Sequence, residues 1–218
     1  MNNNNIVIAV PKGRILKELM PMFSQFDLIP EDDFFDPNSR KLSFKTNHNN
    51  IILIRVRSFD VPTFVAFGGA HLGIAGSDVL AEFDYPDIYS PLNLNIGQCR
   101  MSLAAPVEFA QDQDLWGASH IRVGTKYPNI TQRFFAEKGI QAECIKLNGA
   151  IELAPKLGLC RRIVDLVSTG ATLKANGLEE VATLMEISSR LIVGRGAFKT
   201  RGNVISPLVE SFKQAVGE

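Results

Sequence analysis

The sequence predicts an α/β protein of two lobes, each a mostly parallel sheet flanked by helices. Three observations predict it. Apolar runs of strand length alternate with stretches of helical period. That pattern restarts near residue 99. The 218 residues, 45% of them apolar, suffice for one large domain or two small lobes that each bury a core.

The elements follow in order. Ile6 to Val10 reads as a buried strand, and Lys12-Gly13-Arg14 as the turn leaving it. Ile15, Leu16, Leu19, Met20, Phe23 and Phe26 mark one face of a helix. Glu31 to Asn50 is polar and broken by Pro37-Asn38, so it is loop or edge hairpin. Ile51 to Val56 is a strand; Asp60 is placed to cap the next helix, with Pro62 in its first turn. Leu72 to Ala75 is a short strand, and Ser77 or Asp78 caps a short helix. From Cys99 onward, Met101 to Ala105 and Ile121 to Gly124 read as strands, and Pro128 to Lys138 as a helix ended by Gly139. Ala142 to Leu147 is strand, Ala150 to Leu157 helix, and Ile163 to Val167 strand again. Thr169 to Ala175 opens a helix that stops at Asn176-Gly177. Leu184 to Val193 is extended, and Leu208, Val209, Phe212, Ala215 and Val216 give a last amphipathic helix. Such β-α alternation implies parallel sheets covered by helices. The expected division is residues 1–98 plus 190–218 for lobe I, with the last helix returning to it, and 99–189 for lobe II.

Composition narrows the chemistry. Lys+Arg and Asp+Glu are 23 each, so net charge favours neither nucleic acid nor a membrane surface, and any anion must be held by local donors. No apolar run has the length of a membrane span, and the start Met1-Asn2-Asn3-Asn4-Asn5 is polar; a cytoplasmic protein is expected. Cys99, Cys144 and Cys160 are scattered and odd in number, which reads as reduced structural thiols. His48, His71 and His120 form no catalytic pairing, and Trp116 reads as a packing or hinge residue.

Two segments carry chemistry. In Ile163-Val164-Asp165-Leu166-Val167-Ser168-Thr169-Gly170-Ala171-Thr172-Leu173 a buried strand ends in a carboxylate, and a turn rich in hydroxyls and glycine feeds a helix. Free N–H groups at a helix start point at an anion, Gly170 permits close backbone approach, and Ser168, Thr169 and Thr172 add hydroxyl donors. Asp165 is poor for phosphate but can accept hydrogen bonds from sugar hydroxyls. A capped helix with no ligand is the alternative. The second segment is Pro11-Lys12-Gly13-Arg14, a basic turn after a strand, where open α/β sheets hold their ligands. Arg40-Lys41 and Arg55/Arg57 are further basic candidates, and strand alternation puts Arg55 and Arg57 on one face.

Together these stretches resemble the ATP phosphoribosyltransferase family, which opens histidine biosynthesis. The matching pieces are Pro11 to Arg14, Arg57 to Thr63, Gly73 to Gly76, Thr125 to Asn129, Lys146 to Pro155 and Asp165 to Leu178, in family order. The resemblance implies two periplasmic-binding-protein-like lobes with an active site in the cleft. It implies ATP and phosphoribosyl pyrophosphate (PRPP) as substrates, N1-(5-phosphoribosyl)-ATP and pyrophosphate as products, and Mg²⁺ carried on substrate phosphates rather than by a protein metal site. The chain is similar to the short form, which works with a histidyl-tRNA-synthetase-like regulatory subunit as a homodimer within a hetero-oligomer.

In that frame Ser168, Thr169, Gly170, Ala171 and Thr172 take the PRPP 5′-phosphate, while Asp165 and, more weakly, Glu152 take ribose hydroxyls. Lys12, Gly13, Arg57 and Asp60 belong to the ATP and pyrophosphate side, and Arg14 and Arg40 are the candidate catalytic cations. Four places depart from the family pattern: Cys160-Arg161-Arg162, His71, Ser77 and Gly194. A type-I purine phosphoribosyltransferase is a rival, disfavoured because Val164 stands where that family has a second acid. A non-catalytic solute-binding module is the other.

Overall fold

A computed structural model describes residues 5–36, 38–111 and 116–217. Pro37, part of the Pro37-Asn38 break, lies outside them. In chain order the first half holds β1 (Ile6–Pro11), α1 (Arg14–Gln25), β2 (Ser43–Lys45), β3 (Ile51–Val56), α2 (Val61–Ala66), β4 (Leu72–Gly76), α3 (Ser77–Phe83) and β5 (Ile88–Asn93). The second half holds β6 (Cys99–Pro106), α4 (Val107–Ala110), β7 (His120–Thr125), α5 (Pro128–Ala136), β8 (Gln141–Lys146), α6 (Leu153–Lys156) and β9 (Arg162–Val167). It closes with α7 (Ala171–Ala175), β10 (Leu178–Ile187), β11 (Ser189–Gly194) and α8 (Arg195–Val216). Two compact units result, Met1–Gly97 with Ser188–Glu218 and Gln98–Ile187.

The first unit is built on a six-stranded sheet ordered β2-β3-β1-β4-β11-β5. Every residue of β1 is buried, as a continuous apolar run in a sheet covered on both faces requires. Alternate side chains of β1 enter different cores. Ile6, Ile8 and Val10 pack with Leu19 and Phe23 of α1 and Ile205 and Phe212 of α8. Val7 and Ala9 pack with Val61 and Val65 of α2. The contact of α2 with β4 is close enough that a Cβ on Gly73 would lie 2.7 Å from Val61 Cγ1. The second unit is a five-stranded sheet ordered β10-β6-β9-β7-β8.

Both sheets are mixed rather than wholly parallel. Parallel pairing is confined to β3-β1-β4 in one and β9-β7-β8 in the other. Strands β2, β11 and β5 in the first, and β6 and β10 in the second, pair antiparallel. A buried apolar run reports burial and carries no sign of strand direction. Strand β5, with Pro91 inside it, lies at the sheet edge, where a missing N–H is tolerated. The last helix begins at Arg195, well before the Leu208 to Val216 stripe, and bends at Arg201, whose φ is −135°. Among the described residues no helix is long and apolar enough to cross a membrane.

Three of the unusual sequence positions are structural. His71 Nδ1 accepts the Val7 N–H at 3.0 Å, and burial together with Arg201 pushes its pKa down, keeping the ring neutral. Ser77 and Ser188 exchange hydrogen bonds where β4 meets β11. A Cβ on Gly194 would lie 2.9 Å from the Val65 carbonyl oxygen, so only glycine fits. Trp116 stacks on Phe135 and meets Phe134 edge-on. None of the three cysteines is in a disulfide.

Candidate active site

In the second unit, β9 begins as a fully buried run, Ile163 and Val164, and delivers Asp165 near its end. Beyond Val167 the chain turns through Ser168-Thr169-Gly170 into α7, with Gly170 at φ 77°, a conformation glycine adopts without strain. Thr169 Oγ1 accepts the Ala171 N–H at 3.4 Å. A recess of about 170 Å³ opens here and is lined by Glu152, Asp165 and residues 166–173. The structure thus brings together Asp165, Glu152, Ser168, Thr169, Gly170, Ala171 and Thr172 around one small cavity.

The carboxylates give this recess its electrostatic character. Burial pushes the Asp165 pKa up, the negative charge of Glu152 adds to the rise, and the Leu166 N–H and Lys126 oppose it. The Leu166 N–H donates to Asp165 Oδ1 at 2.8 Å. Glu152 lines the recess from the position just before a short helix. The expected helix from Ala150 is confined to Leu153–Lys156, since Ala150 takes a left-handed φ of 50° that no helix contains. Beside it, Thr125 Oγ1 donates to the Val164 carbonyl at 2.9 Å and accepts the Tyr127 N–H at 3.0 Å, fixing the turn that carries Lys126.

The sequence reading missed the support under this loop. Arg100 and Glu180 form a two-point ion pair, with Nε to Oε2 at 2.8 Å and Nη2 to Oε1 as its second bond. Ser102 donates to the same carboxylate at 2.8 Å, and Arg100 Nη1 donates to the Ser168 carbonyl at 3.4 Å. The hydrogen bond from Arg100 holds the Glu180 carboxyl below the usual range. Arg100 and Ser102 share a face of β6, but Glu180 lies 80 residues from Arg100, a separation with no local signal.

In the first unit, the basic turn lies where β1 and β3 end side by side. Pro11 is in register with Val56, and the Lys12 N–H donates to the Val56 carbonyl at 3.1 Å. Gly13, at φ 96°, is the turn that starts α1. Lys12, Gly13 and Arg57 are therefore neighbours at one sheet end, and all are exposed. Arg14 Nη2 donates to the Gly97 carbonyl at 3.1 Å, and its Nε lies 3.6 Å from Glu18, which accepts the Gly97 N–H at 2.7 Å. Arg40 is exposed in the connection to β2, on the far side of β3.

Two expectations are corrected here. Asp60 precedes α2, yet its side chain makes no capping hydrogen bond, because a 3₁₀ turn over Ser58–Asp60 leads directly into the helix. Arg55 and Arg57 do not continue one strand face, because β3 stops at Val56. Arg55 instead lies over the Phe44 ring and donates to the carbonyls of Phe34 and Ser39, tying down the segment before Arg40.

Comparison with known proteins adds to this geometry. The HisG family, described as ATP phosphoribosyltransferase, matches residues 57–214. A protein named ATP phosphoribosyltransferase from Paramagnetospirillum magneticum is 61% identical over 214 residues, 98% of each chain. One of the same name from Rhizorhabdus wittichii is 63% identical over 97% of this chain and 96% of its own. Among solved structures, the ATP phosphoribosyl transferase (HisG:HisZ) complex from Thermotoga maritima superposes with a TM-score of 0.81 at 30% identity, covering 97% of this chain and 98% of that one. The periplasmic aliphatic sulphonate binding protein SsuA from Escherichia coli, at 14% identity and a TM-score of 0.59 over 99% of this chain and 69% of its own, shares the fold.

Proposed function

This chain belongs to the ATP phosphoribosyltransferase family, and we propose that it joins the ribose carbon of PRPP to N1 of ATP through the residues gathered in its two units. The reaction is ATP + PRPP giving N1-(5-phosphoribosyl)-ATP and pyrophosphate, a pentosyl transfer in histidine biosynthesis. The observation that carries the residue assignment is the recess where a hydroxyl- and amide-lined turn adjoins the carboxylates Asp165 and Glu152. Phosphate suits the N–H and hydroxyl donors of Ser168 to Thr172; ribose hydroxyls suit the two carboxylate acceptors.

Adenine N1 is unprotonated near neutral pH, so the attack needs no strong base. The demands are orientation of the two substrates and stabilisation of departing pyrophosphate. Lys12, Gly13, Arg57 and Asp60 serve the nucleotide and pyrophosphate, and Arg14 and Arg40 neutralise charge as the leaving group departs. The contacts of Arg14 with Gly97 and Glu18 fix its direction. Mg²⁺ is proposed to arrive on the substrate phosphates, whose charge it offsets. The hard carboxylate oxygens of Asp165 and Glu152 are the donors in the recess that suit it. Among the described residues, no three His, Cys, Asp or Glu side chains cluster as a metal cage.

The HisG:HisZ assembly of the Thermotoga maritima relative supports a separate regulatory subunit for this chain; from the sequence resemblance we propose that this subunit is histidyl-tRNA-synthetase-like and that the chain works as a homodimer within a cytoplasmic hetero-oligomer. The test is pyrophosphate release by the purified chain, with and without that subunit, in ATP, PRPP and Mg²⁺. Release requiring both substrates, with the product confirmed by mass, is expected. Free purine base replacing ATP, or PRPP binding without turnover even with the partner, would overturn the reading.

A further inference from the structure

A second recess, of about 560 Å³, lies wholly within the Gln98–Ile187 unit and apart from the phosphate loop. It opens where β6 ends at Pro106 and where β7 and β9 begin, at His120 and Arg162. Strand β9 runs from this recess to the loop after Val167. Five residue steps separate Arg162 from Val167, so roughly 17 Å of strand lies between the two ends. The volume falls in the range of small-molecule sites, about 300–1,000 Å³.

Its lining has a definite chemistry. Cys160-Arg161-Arg162, the segment that departs from the family pattern, lines it with two arginines, and Glu108 adds an acidic residue. Arg162 is only 6% exposed although it carries a permanent charge. Arg161 lies 5.2 Å from the centre of the Phe109 ring, so its guanidinium is backed by an aromatic ring. Arg122 and His120 line the same recess; Arg122 donates to Glu143 at 2.9 Å, and His120 lies 3.8 Å from that carboxylate. Burial raises the Cys160 pKa, so the thiol stays neutral and cancels none of the positive charge. Pro106, Pro155 and Leu159 add apolar wall.

We propose that this recess is a second ligand site, which takes a small organic anion whose carboxylate or phosphate is carried on a flat apolar ring. The edge of a guanidinium meets such an anion through paired N–H donors, while its face and the apolar walls accept a ring. A bare phosphate satisfies only the first of these.

Calorimetric titration of the full chain with phenyl phosphate, benzoate and inorganic phosphate, without ATP or PRPP, tests the site. Saturable binding of at least one ring-bearing anion is expected, tighter than inorganic phosphate. Arg161→Glu should weaken it at least tenfold, Phe109→Ala more modestly, and Thr172→Ala, in the phosphate loop, not at all. Arg161 is exposed, so its substitution leaves the core intact, and an unchanged melting curve checks that. Absence of binding by both ring-bearing probes overturns the proposal. So does binding that survives Arg161→Glu and disappears in Thr172→Ala, which places the probe in the phosphate loop. An Arg161→Glu variant that binds probes normally but no longer binds the synthetase-like subunit would make this face a protein contact instead. Pyrophosphate release plays no part in the readout, so failure here and failure of the transferase reading are separate outcomes.

Discussion

Asp165 answers to two opposed demands. In the proposed role, ribose hydroxyls want an ionised acceptor, while burial and the neighbouring Glu152 favour the protonated form. Because its folded pKa is raised, the native state binds more protons than the unfolded chain between the ordinary Asp value and the folded one. Stability attributable to Asp165 therefore falls as pH rises through that window. Asp165→Asn is expected to melt no lower than wild type at pH 7 while binding PRPP about tenfold more weakly, read by thermal scan and calorimetry. Wild type is expected to lose PRPP affinity on acidification, and the same variant should flatten that loss. A lower melting temperature with unchanged PRPP affinity would make Asp165 a structural acid. At Arg40 the expectation concerns rate: Arg40→Ala should lower kcat by about 10²–10³ with a smaller change in PRPP affinity, as loss of one preorganised donor does. Equal kcat in variant and wild type removes Arg40 from the chemistry.

At the scale of elements, the turn after β9, the proposed phosphate loop, is tied to strands it does not belong to. The Arg100–Glu180 pair joins β6 to β10 and reaches the Ser168 carbonyl. Arg100→Ala is expected to raise the PRPP KM about tenfold, equivalent to about 1.4 kcal/mol, with the ATP KM little changed. Parallel rises in both would show a general loss of structure. In the first unit Gly73→Ala forces a methyl against Val61 and Val65 and should destabilise by about 1–3 kcal/mol in denaturant unfolding. An unchanged midpoint would mean that α2 yields freely. The strand at Ile6, the loop at Ser168 and the short helix stopped by Asn176-Gly177 were legible because each has a local cause: an apolar run, a turn rich in hydroxyls and glycine, a helix stop. The ten-residue β10 was read only from Leu184, since Leu178 to Thr183 mixes acids with apolar residues and contains a register shift between Glu180 and Ala182. The front of α8 carries Gly196, Gly202 and Pro207, poor helix formers that leave no helical signal to read.

For the whole molecule, composition and periodicity sufficed for an α/β chain whose sheets carry helices, because burial on two faces leaves a readable apolar period. Strand direction was not readable: β5 to β6 and β10 to β11 follow one another without an intervening helix, and these strands supply antiparallel partners. The lining of the recess was legible where its parts are contiguous, as in Asp165 to Thr172. It was illegible where distant strands meet, as Arg100 meets Glu180, or where a left-handed residue shortens a helix, as Ala150 does before Glu152. The central claim is that the turn after β9 holds the 5′-phosphate of PRPP. Amide hydrogen exchange of the full chain with and without PRPP tests it most directly. The expected result is slowed exchange at Ser168 to Leu173 on adding PRPP, lost in Thr172→Ala. Protection confined to residues 12–14, with the turn after β9 exchanging as before, would contradict it.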